Sequence, residues 1–246
     1  MGSVAGLLPK PAQRGRRRKA DLREVINALR YLLRSGWGWR MLPKDFPAWQ
    51  TVYWWFRRMM RRFLFQTLHD AVLMLDRELE GRRPCPSAGV VDSQSVKAPA
   101  AKERGYDAGM KIVGRKRNIA VNTNGWLLMV NLTPADIDDS TGALAVLEAL
   151  KKRWPGLKHL FADGAYDRRT LMDKSATLDF VVQVVCRHEG QIGFAVLPRR
   201  WVVERTFGWM IRWRRLVRDY ARRPDVSEAM VYIAMGGLLL RRIAHP

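Results

Sequence analysis

The sequence predicts a mixed α/β protein, in which a small helical unit precedes a mixed β-sheet with helices on its faces. Three observations lead there. As far as Gly81, apolar residues recur at three- and four-residue spacing, the mark of amphipathic helices. After Ser87 short β-rich runs replace them. These runs begin as three in succession, two of them joined through Asn124-Gly125, and then alternate with helical segments, as in a sheet with antiparallel and parallel strands.

The helical part opens after a Gly-, Pro- and Arg-rich arm, residues 1–20. Asp21 followed by Glu24 is a capping-box pattern, and Leu22, Val25, Ile26, Leu29, Leu32 and Leu33 predict a first helix that stops at Ser35-Gly36. Trp49, Val52, Tyr53 and Phe56 predict a second helix ending in the cluster Arg57, Arg58, Arg61 and Arg62. Leu64, Leu68, Val72, Leu75 and Leu79 predict the apolar face of a third. Three helices displaying basic residues suggest a helix-turn-helix-like DNA-binding unit over residues 21–81, although the first connection is longer than usual in that motif. Arg82 to Ser87 reads as a linker.

Strands are expected at Gly89 to Asp92, Asn118 to Asn122 and Trp126 to Leu132, followed by a helix capped by Asp139 or Ser140 and ending near Trp154. A strand from Leu157 to Ala162, a short helix from Arg168 to Lys174, a strand from Phe180 to Val185 and a long helix from about Pro198 complete residues 88–246. This order resembles the ribonuclease H-like fold.

The chain has 246 residues, enough for one sizeable core and a small companion domain. Lys and Arg number 44 against 23 Asp and Glu, a net charge of +21, while 48% hydrophobic residues exclude a disordered basic tail. Clusters at Arg14 to Lys19, Arg57 to Arg62, Lys111 to Arg117 and Arg199 to Arg223 spread the charge along the chain. That spread suits a nucleic-acid backbone better than a single membrane anchor. Ala229 to Leu240 is the longest apolar run without a charge and falls short of the roughly 18 residues of a membrane span, so it reads as a buried helix. Cys85 and Cys186 form no zinc or disulfide pattern, and the N-terminus carries no secretory pattern. A cytoplasmic, nucleoid-associated setting is the expectation.

Three carboxylates stand out. Asp92 and Asp163 each end an apolar strand, where an unpaired carboxylate is expensive to bury and where α/β folds commonly bind ligands. Glu204 lies in the long helix among Arg200 and Arg205. Each also has an ordinary reading: Asp92 as a turn cap, Asp163 as the start of an Asp-Gly turn, Glu204 as the partner of Arg200 four residues away. Together they occupy the first strand, the fourth strand and the long helix, whose side chains meet in a ribonuclease H-like fold. Converging there, they could hold two hard divalent cations.

Five sequence words then resemble one family, the transposases of the insertion-sequence five group within the wider insertion-sequence four-like superfamily and the DDE class. They begin at Gly15 (GRRRKADLREV), Trp39 (WRMLPKDFPAWQTVY), Val91 (VDSQSVK), Ala162 (ADGAY) and Arg200 (RWVVERTFGW). The resemblance implies that Asp92, Asp163 and Glu204 are the catalytic and metal-binding triad, the last two separated by 204 − 163 = 41 positions. It implies an enzyme that binds terminal inverted repeats, cleaves DNA and joins the ends to target DNA by two-metal phosphoryl transfer. Two Mg²⁺ ions, with Mn²⁺ as a substitute, double-stranded DNA and a homodimer or higher oligomer on DNA are the cofactors and partners implied. Related transposases often add Tyr, Arg and Lys on the final helix; Arg200 fits, whereas Leu197 and Ile211 stand where Tyr and Lys are expected.

For DNA contact the candidates are Arg16, Arg17, Arg18, Lys19, Arg57, Arg58, Lys97, Arg200, Arg205, Arg212, Arg214 and Arg215. Val203, Phe207, Met210 and Val217 are expected to form the buried stripe of the long helix. Trp126, Trp201 and Trp209 are either core or base-stacking residues, and Tyr166 is either a DNA contact or a support for the site. Two other readings stay open: a ribonuclease H-like nuclease that cuts without joining, and a decayed or domesticated sequence-specific DNA-binding protein.

Overall fold

Local chemistry sets the ends of the first helix. In the computed structural model, which describes residue 9 and residues 19–185 and 201–245, α1 (Leu22–Ser35) begins where the Asp21 carboxylate accepts the Arg23 N–H at 2.9 Å. It ends at Gly36, whose φ of 80° is the left-handed conformation glycine adopts without strain. The capping box is incomplete, because Glu24 accepts from the Asn27 amide instead. Leu22, Val25, Leu29, Leu32 and Leu33 are buried, as their spacing predicts. Arg16, Arg17, Arg18, Leu197 and Arg200 lie outside the described residues.

Helix α2 (Trp49–Met60) buries Val52, Phe56, Met59 and Met60, and α3 (Leu64–Leu79) follows it. The predicted face of α3 holds only in part, at the buried Val72 and the half-buried Leu64. Phe65, His69, Val72, Leu73, Asp76 and Arg77 are buried, while Leu75 is exposed and Leu79 is 66% exposed. An apolar pattern assigns charged positions to water, but here they are paired inside. Arg242 Nε lies 3.0 Å from Asp76 Oδ1, and Arg77 Nε donates to the Arg83 carbonyl at 2.8 Å, which makes their burial tolerable.

The sheet comprises β1 (Ala88–Lys97), β2 (Gly105–Asp107), β3 (Ile112–Asn122), β4 (Leu127–Pro134), β5 (His159–Ala162) and β6 (Val181–Val184). Along it the order is β2-β3-β1-β5-β6, and β4 also pairs with β3. Strands β1 to β4 are antiparallel neighbours, and β5 and β6 add in parallel. The hairpin between β3 and β4 closes with Gly125 N–H donating to the Asn122 carbonyl at 2.9 Å, with Gly125 at φ 82°. Helices α4 (Asp139–Arg153) and α5 (Arg169–Thr177) alternate with the parallel strands, and α6 (Trp201–Ile211) and α7 (Pro224–Ala244) complete the chain. This is the ribonuclease H-like arrangement, preceded by helices. The sequence did not predict β2, and it placed β1 and β3 shorter than they are.

Side-chain alternation along the strands divides the core. Val90, Ile119, Val121 and Phe161 face one cluster with residues of α1, α2, α6 and α7. Val91, Ala120, Leu160 and Ala162 face another with residues of α4 and α5. The helices of residues 21–81 thus share one continuous hydrophobic cluster with the sheet. Val203, Phe207 and Met210 form the buried stripe of α6 as expected, but Val217 does not join it: α6 stops at Ile211, and Val217 is 51% exposed. Among the described residues, no helix is long and apolar enough to cross a membrane.

Burial pushes the Glu228 carboxyl, on α7, up to about 7 from 4.5. One of its oxygens accepts the Leu132 N–H at 3.1 Å. Its folded pKa is raised, so between about 4.5 and 7 the native state holds a proton that the unfolded chain has lost. Stability therefore falls as pH rises through that window, by at most about 3 kcal/mol. Glu228→Gln keeps the acceptor and removes the titration. The expected outcome, read from urea denaturation at pH 5 and pH 8, is a smaller loss of stability between the two than in the wild type.

Candidate active site

Strand register brings Asp92 and Asp163 together. The parallel pairing of β1 and β5 runs Ala88↔His159, Gly89↔Leu160, Val90↔Phe161, and each aspartate lies two residues beyond the last of these pairs. By alternation both project to the face of Val90 and Phe161, the face that α6 covers. Neighbouring strands are about 4.8 Å apart, so the two carboxylates fall on adjoining strands just past the last β1–β5 pair, Asp163 directly after β5 but Asp92 midway along β1, which runs on to Lys97 instead of ending at the aspartate as the sequence suggests. Local bonds orient them: Ser93 N–H donates to Asp92 Oδ1 at 2.8 Å, and Ala165 N–H to Asp163 Oδ1 at 2.9 Å. The Asp163 bond caps the 3₁₀ turn Gly164–Tyr166.

That turn delivers Tyr166, 1% exposed, beneath the pair. Burial, followed by the charges of Asp92, Asp139 and Asp163, pushes its hydroxyl well above the usual tyrosine range, against a hydrogen bond with Ser93 that acts the other way. The phenol is therefore held neutral among carboxylates and can serve as a hydrogen-bonding group, not as a base. Ser93 Oγ in turn donates to Asp139 Oδ1 at 2.6 Å, and Lys116 Nζ lies 2.9 Å from the same oxygen. Sequence reading placed Tyr166 near the site but missed Ser93, Asp139 and Lys116. Asp139 looked like a helix cap and Lys116 like part of a surface cluster, and only the fold joins them.

Glu204 is placed differently. On α6, Val202 and Thr206 form the side that packs on the β3–β4 hairpin: Thr206 Oγ donates to the Gly125 carbonyl at 2.7 Å, and a side chain at Gly125 would meet Val202. At 3.6 residues per turn Glu204 falls on the opposite flank of the buried stripe, away from that hairpin, and it is exposed. Among the described residues no three His, Cys, Asp or Glu side chains form a group that could hold a metal. The register thus sets Asp92 and Asp163 on adjoining strands, and Glu204 stands on the exposed flank of α6.

The cationic candidates divide as well. Lys19, Arg58, Lys97, Arg212 and Arg214 are exposed. Arg58 lies over Trp54 at 5.2 Å, and Arg57 donates to the Tyr53 hydroxyl at 3.2 Å. Arg215 donates to the Trp37 carbonyl at 2.6 Å. Arg205 is engaged within the fold, lying over Trp201 at 4.4 Å and Trp209 at 4.8 Å while donating to the Asn124 carbonyl. Trp126 is buried and packs against Trp209, whereas Trp201 is exposed.

A family model described as "Transposase DDE domain" matches residues 83–239, and one described as "Putative transposase of IS4/5 family" matches residues 2–69. A relative described as "Putative transposase for insertion sequence element IS402", from Burkholderia cepacia, is 30% identical over 133 residues, 48% of this chain. That match spans 59% of the relative's length. A solved structure, the mariner Mos1 paired end complex with Mg, aligns with 96% of this chain and 80% of its own at 13% identity and a TM-score of 0.30. With the first of these models spanning the whole sheet and most of α7, the chain belongs to the DDE-domain transposases of the IS4/IS5 group.

Proposed function

We propose that this chain binds the terminal inverted repeats of an insertion sequence, cleaves DNA there and joins the ends to target DNA, with Asp92, Asp163 and Glu204 as its catalytic carboxylates. The observation that carries the reading is the placement of Asp92 and Asp163 on one face of neighbouring parallel strands, each two residues past the last pair that joins them. Carboxylate oxygens in that position fit a hard divalent cation. Asp92 and Asp163 would hold the first of two Mg²⁺ ions, and Glu204 would complete the second site from the flank of α6. Bound there, the metal supplies Lewis acidity at a phosphodiester and lowers the pKa of an attacking hydroxyl.

The chain's own groups then orient and separate charge. Backbone N–H donors fix the rotamers of both aspartates. Tyr166, uncharged, offers hydrogen bonding without adding a negative charge beside them. Lys116 offsets the charge of Asp139 and keeps it from competing with the pair. Residues 21–81 are the proposed DNA-recognition unit, 82–87 the linker and 88–246 the catalytic unit. Lys19, Arg57, Arg58, Lys97, Arg205, Arg212, Arg214 and Arg215, with Arg16, Arg17, Arg18 and Arg200, would contact DNA phosphates. Synapsis of two ends implies at least a dimer.

The test is a strand-transfer assay with the full chain, Mg²⁺ and labelled duplexes bearing the element's terminal repeats. Wild type is expected to give joined product that disappears on chelation of the metal, and Asp163→Asn and Glu204→Gln are expected to lower it about a thousandfold, the scale of losing a charge-stabilising group. Nicking without joining would instead establish the nuclease reading.

Tyr166→Phe separates support from chemistry at the same site. Removing one neutral hydrogen bond is worth about 1 kcal/mol, so joining should slow roughly fivefold at an unchanged metal requirement. A loss above about a hundredfold in a folded variant would make the hydroxyl part of the reaction.

A further inference from the structure

A cleft of about 850 Å³ opens between the turn at Gly38–Met41, the side of α2 that carries Trp49, Tyr53 and Arg57, and the segment from Arg215 to Arg223. Eight of its lining residues are Arg or Lys, against one acid, Asp219. That acid is already committed: it lies 2.9 Å from Arg115 Nη1 and accepts from Ala221 N–H and Ser227 Oγ. Arg223 is held by Asp225, with its Nη2 2.5 Å from Oδ2, which still leaves the cleft with far more cations than acids.

Two arginines from one strand decide what the cleft is for. Arg115 and Arg117 alternate on β3, so both project to the same face. Arg115 is saturated, with donors to the Glu103, Ala221 and Arg222 carbonyls besides Asp219. Arg117 lines the cleft, is 1% exposed, and gives one hydrogen bond, from Nη2 to the Leu216 carbonyl at 2.7 Å. Its Nε and Nη1 are buried with no acceptor. Burial pulls its pKa down to about 10, so it remains charged at neutral pH. A charged guanidinium with two orphaned donors, on the floor of a cationic cleft, is an expensive arrangement in the absence of an anionic ligand.

We propose that this cleft is a phosphodiester-binding site, with Arg117 as the deep donor to one DNA backbone phosphate and Lys102, Arg218 and Arg222 holding flanking phosphates at the rim. The choice of DNA as the anion rests on the proposed function. Position supports it, because Arg117 pairs across the strands with Gln94, two residues or about 6.6 Å of strand from Asp92. Asp92, Gln94 and Arg117 share one face of the sheet, so a strand gripped here runs on toward the carboxylates. The rim residues Lys102, Arg218 and Arg222 are exposed and free to follow a backbone.

The experiment measures binding of a labelled duplex to the full chain by fluorescence anisotropy, in EDTA, across a NaCl series. Arg117→Met is expected to lower affinity about tenfold at 100 mM salt and to make the slope of log K against log salt shallower by about 1. Its melting temperature should hold or rise, since an apolar replacement removes a buried, underpaired charge. A folded Arg117→Met with the wild-type slope and affinity overturns the proposal. If that variant does not fold, Arg218→Ala with Arg222→Ala carries the test: a slope shallower by about 2 supports the site, and an unchanged slope overturns it. Inorganic phosphate should raise the melting temperature of wild type and not of Arg117→Met. Phosphate stabilisation with an unchanged DNA slope in the variants would mean a small-anion site and overturn the assignment to DNA. Since the assay needs no metal and reads no chemistry, a protein that binds with the expected slopes yet never joins ends sinks the proposed reaction and leaves this site standing.

Discussion

Strand β1 is hydrogen-bonded on both sides, antiparallel to β3 from Gly89 to Lys97 and parallel to β5 from Ala88 to Val90, and its register sets everything that follows. The first pairing aligns Gln94 with Arg117, and the second aligns the first half of β1 with β5 so that Asp92 and Asp163 fall at corresponding positions. A slip of one residue would turn Asp92 toward α4 and bring Ser93 to the face of α6. The apolar positions would invert with them, because Val90 belongs to the cluster containing α6 and Val91 to the cluster containing α4. Core packing therefore enforces the same register that the carboxylates need, and no separate device is required to align them.

The run Arg115-Lys116-Arg117 in a central strand is the harder problem, since each cation is largely removed from water. Alternation sends them to opposite faces, and each face answers differently. Lys116 meets Asp139 at the start of α4, which ties that helix to the site through Ser93. Arg115 meets Asp219 and the carbonyls around it, so the segment between α6 and α7 is pinned to the sheet by a buried ion pair. Breaking such a pair strands a charge, at about 3–5 kcal/mol. Arg117 feels the charge of Asp219 but makes no hydrogen bond to an acid among the described residues and reaches a single carbonyl, that of Leu216. The contrast within one strand, more than the net charge of the chain, separates an arginine saturated by the fold from one with donors to spare.

Much of this was legible from residues alone, where local physics decides. Asp21 and Gly36 bracket α1 because a cap and a left-handed glycine need no distant partner. The turn at Asn124-Gly125 marks the β3–β4 hairpin for the same reason. Asp92 and Asp163 stand out in the sequence because a carboxylate at the end of an apolar run is unusual in itself. What stayed hidden depends on contacts far apart in sequence. The buried face of α3 includes Asp76, which pattern reading assigns to solvent until Arg242 is known to reach it. Lys111 to Arg117 read as a surface cluster, whereas Arg115 and Arg117 are among the most buried side chains. The relation of Glu204 to the aspartates was invisible for a similar reason: it depends on where α6 docks, and α6 docks on a hairpin some 80 residues upstream.

The same docking bears on how recognition and chemistry are connected. The end of α1 is fastened to the turn just beyond α6, where Arg34 lies over Trp213 at 5.5 Å and the Cβ of Arg214 would sit 3.0 Å from any side chain at Gly36. Arg215 adds a bond to the Trp37 carbonyl, immediately after the helix cap. Trp213 is itself buried in the cluster shared by α1, α2, α6 and α7. Close-packed interiors transmit displacement instead of absorbing it, so a load on α1 is felt first at the C-terminal end of α6. Glu204 lies on that helix, two turns before the turn that α1 grips. The N-terminal helices are therefore not a detachable module hung on the sheet: they form part of the support that positions α6, and with it Glu204.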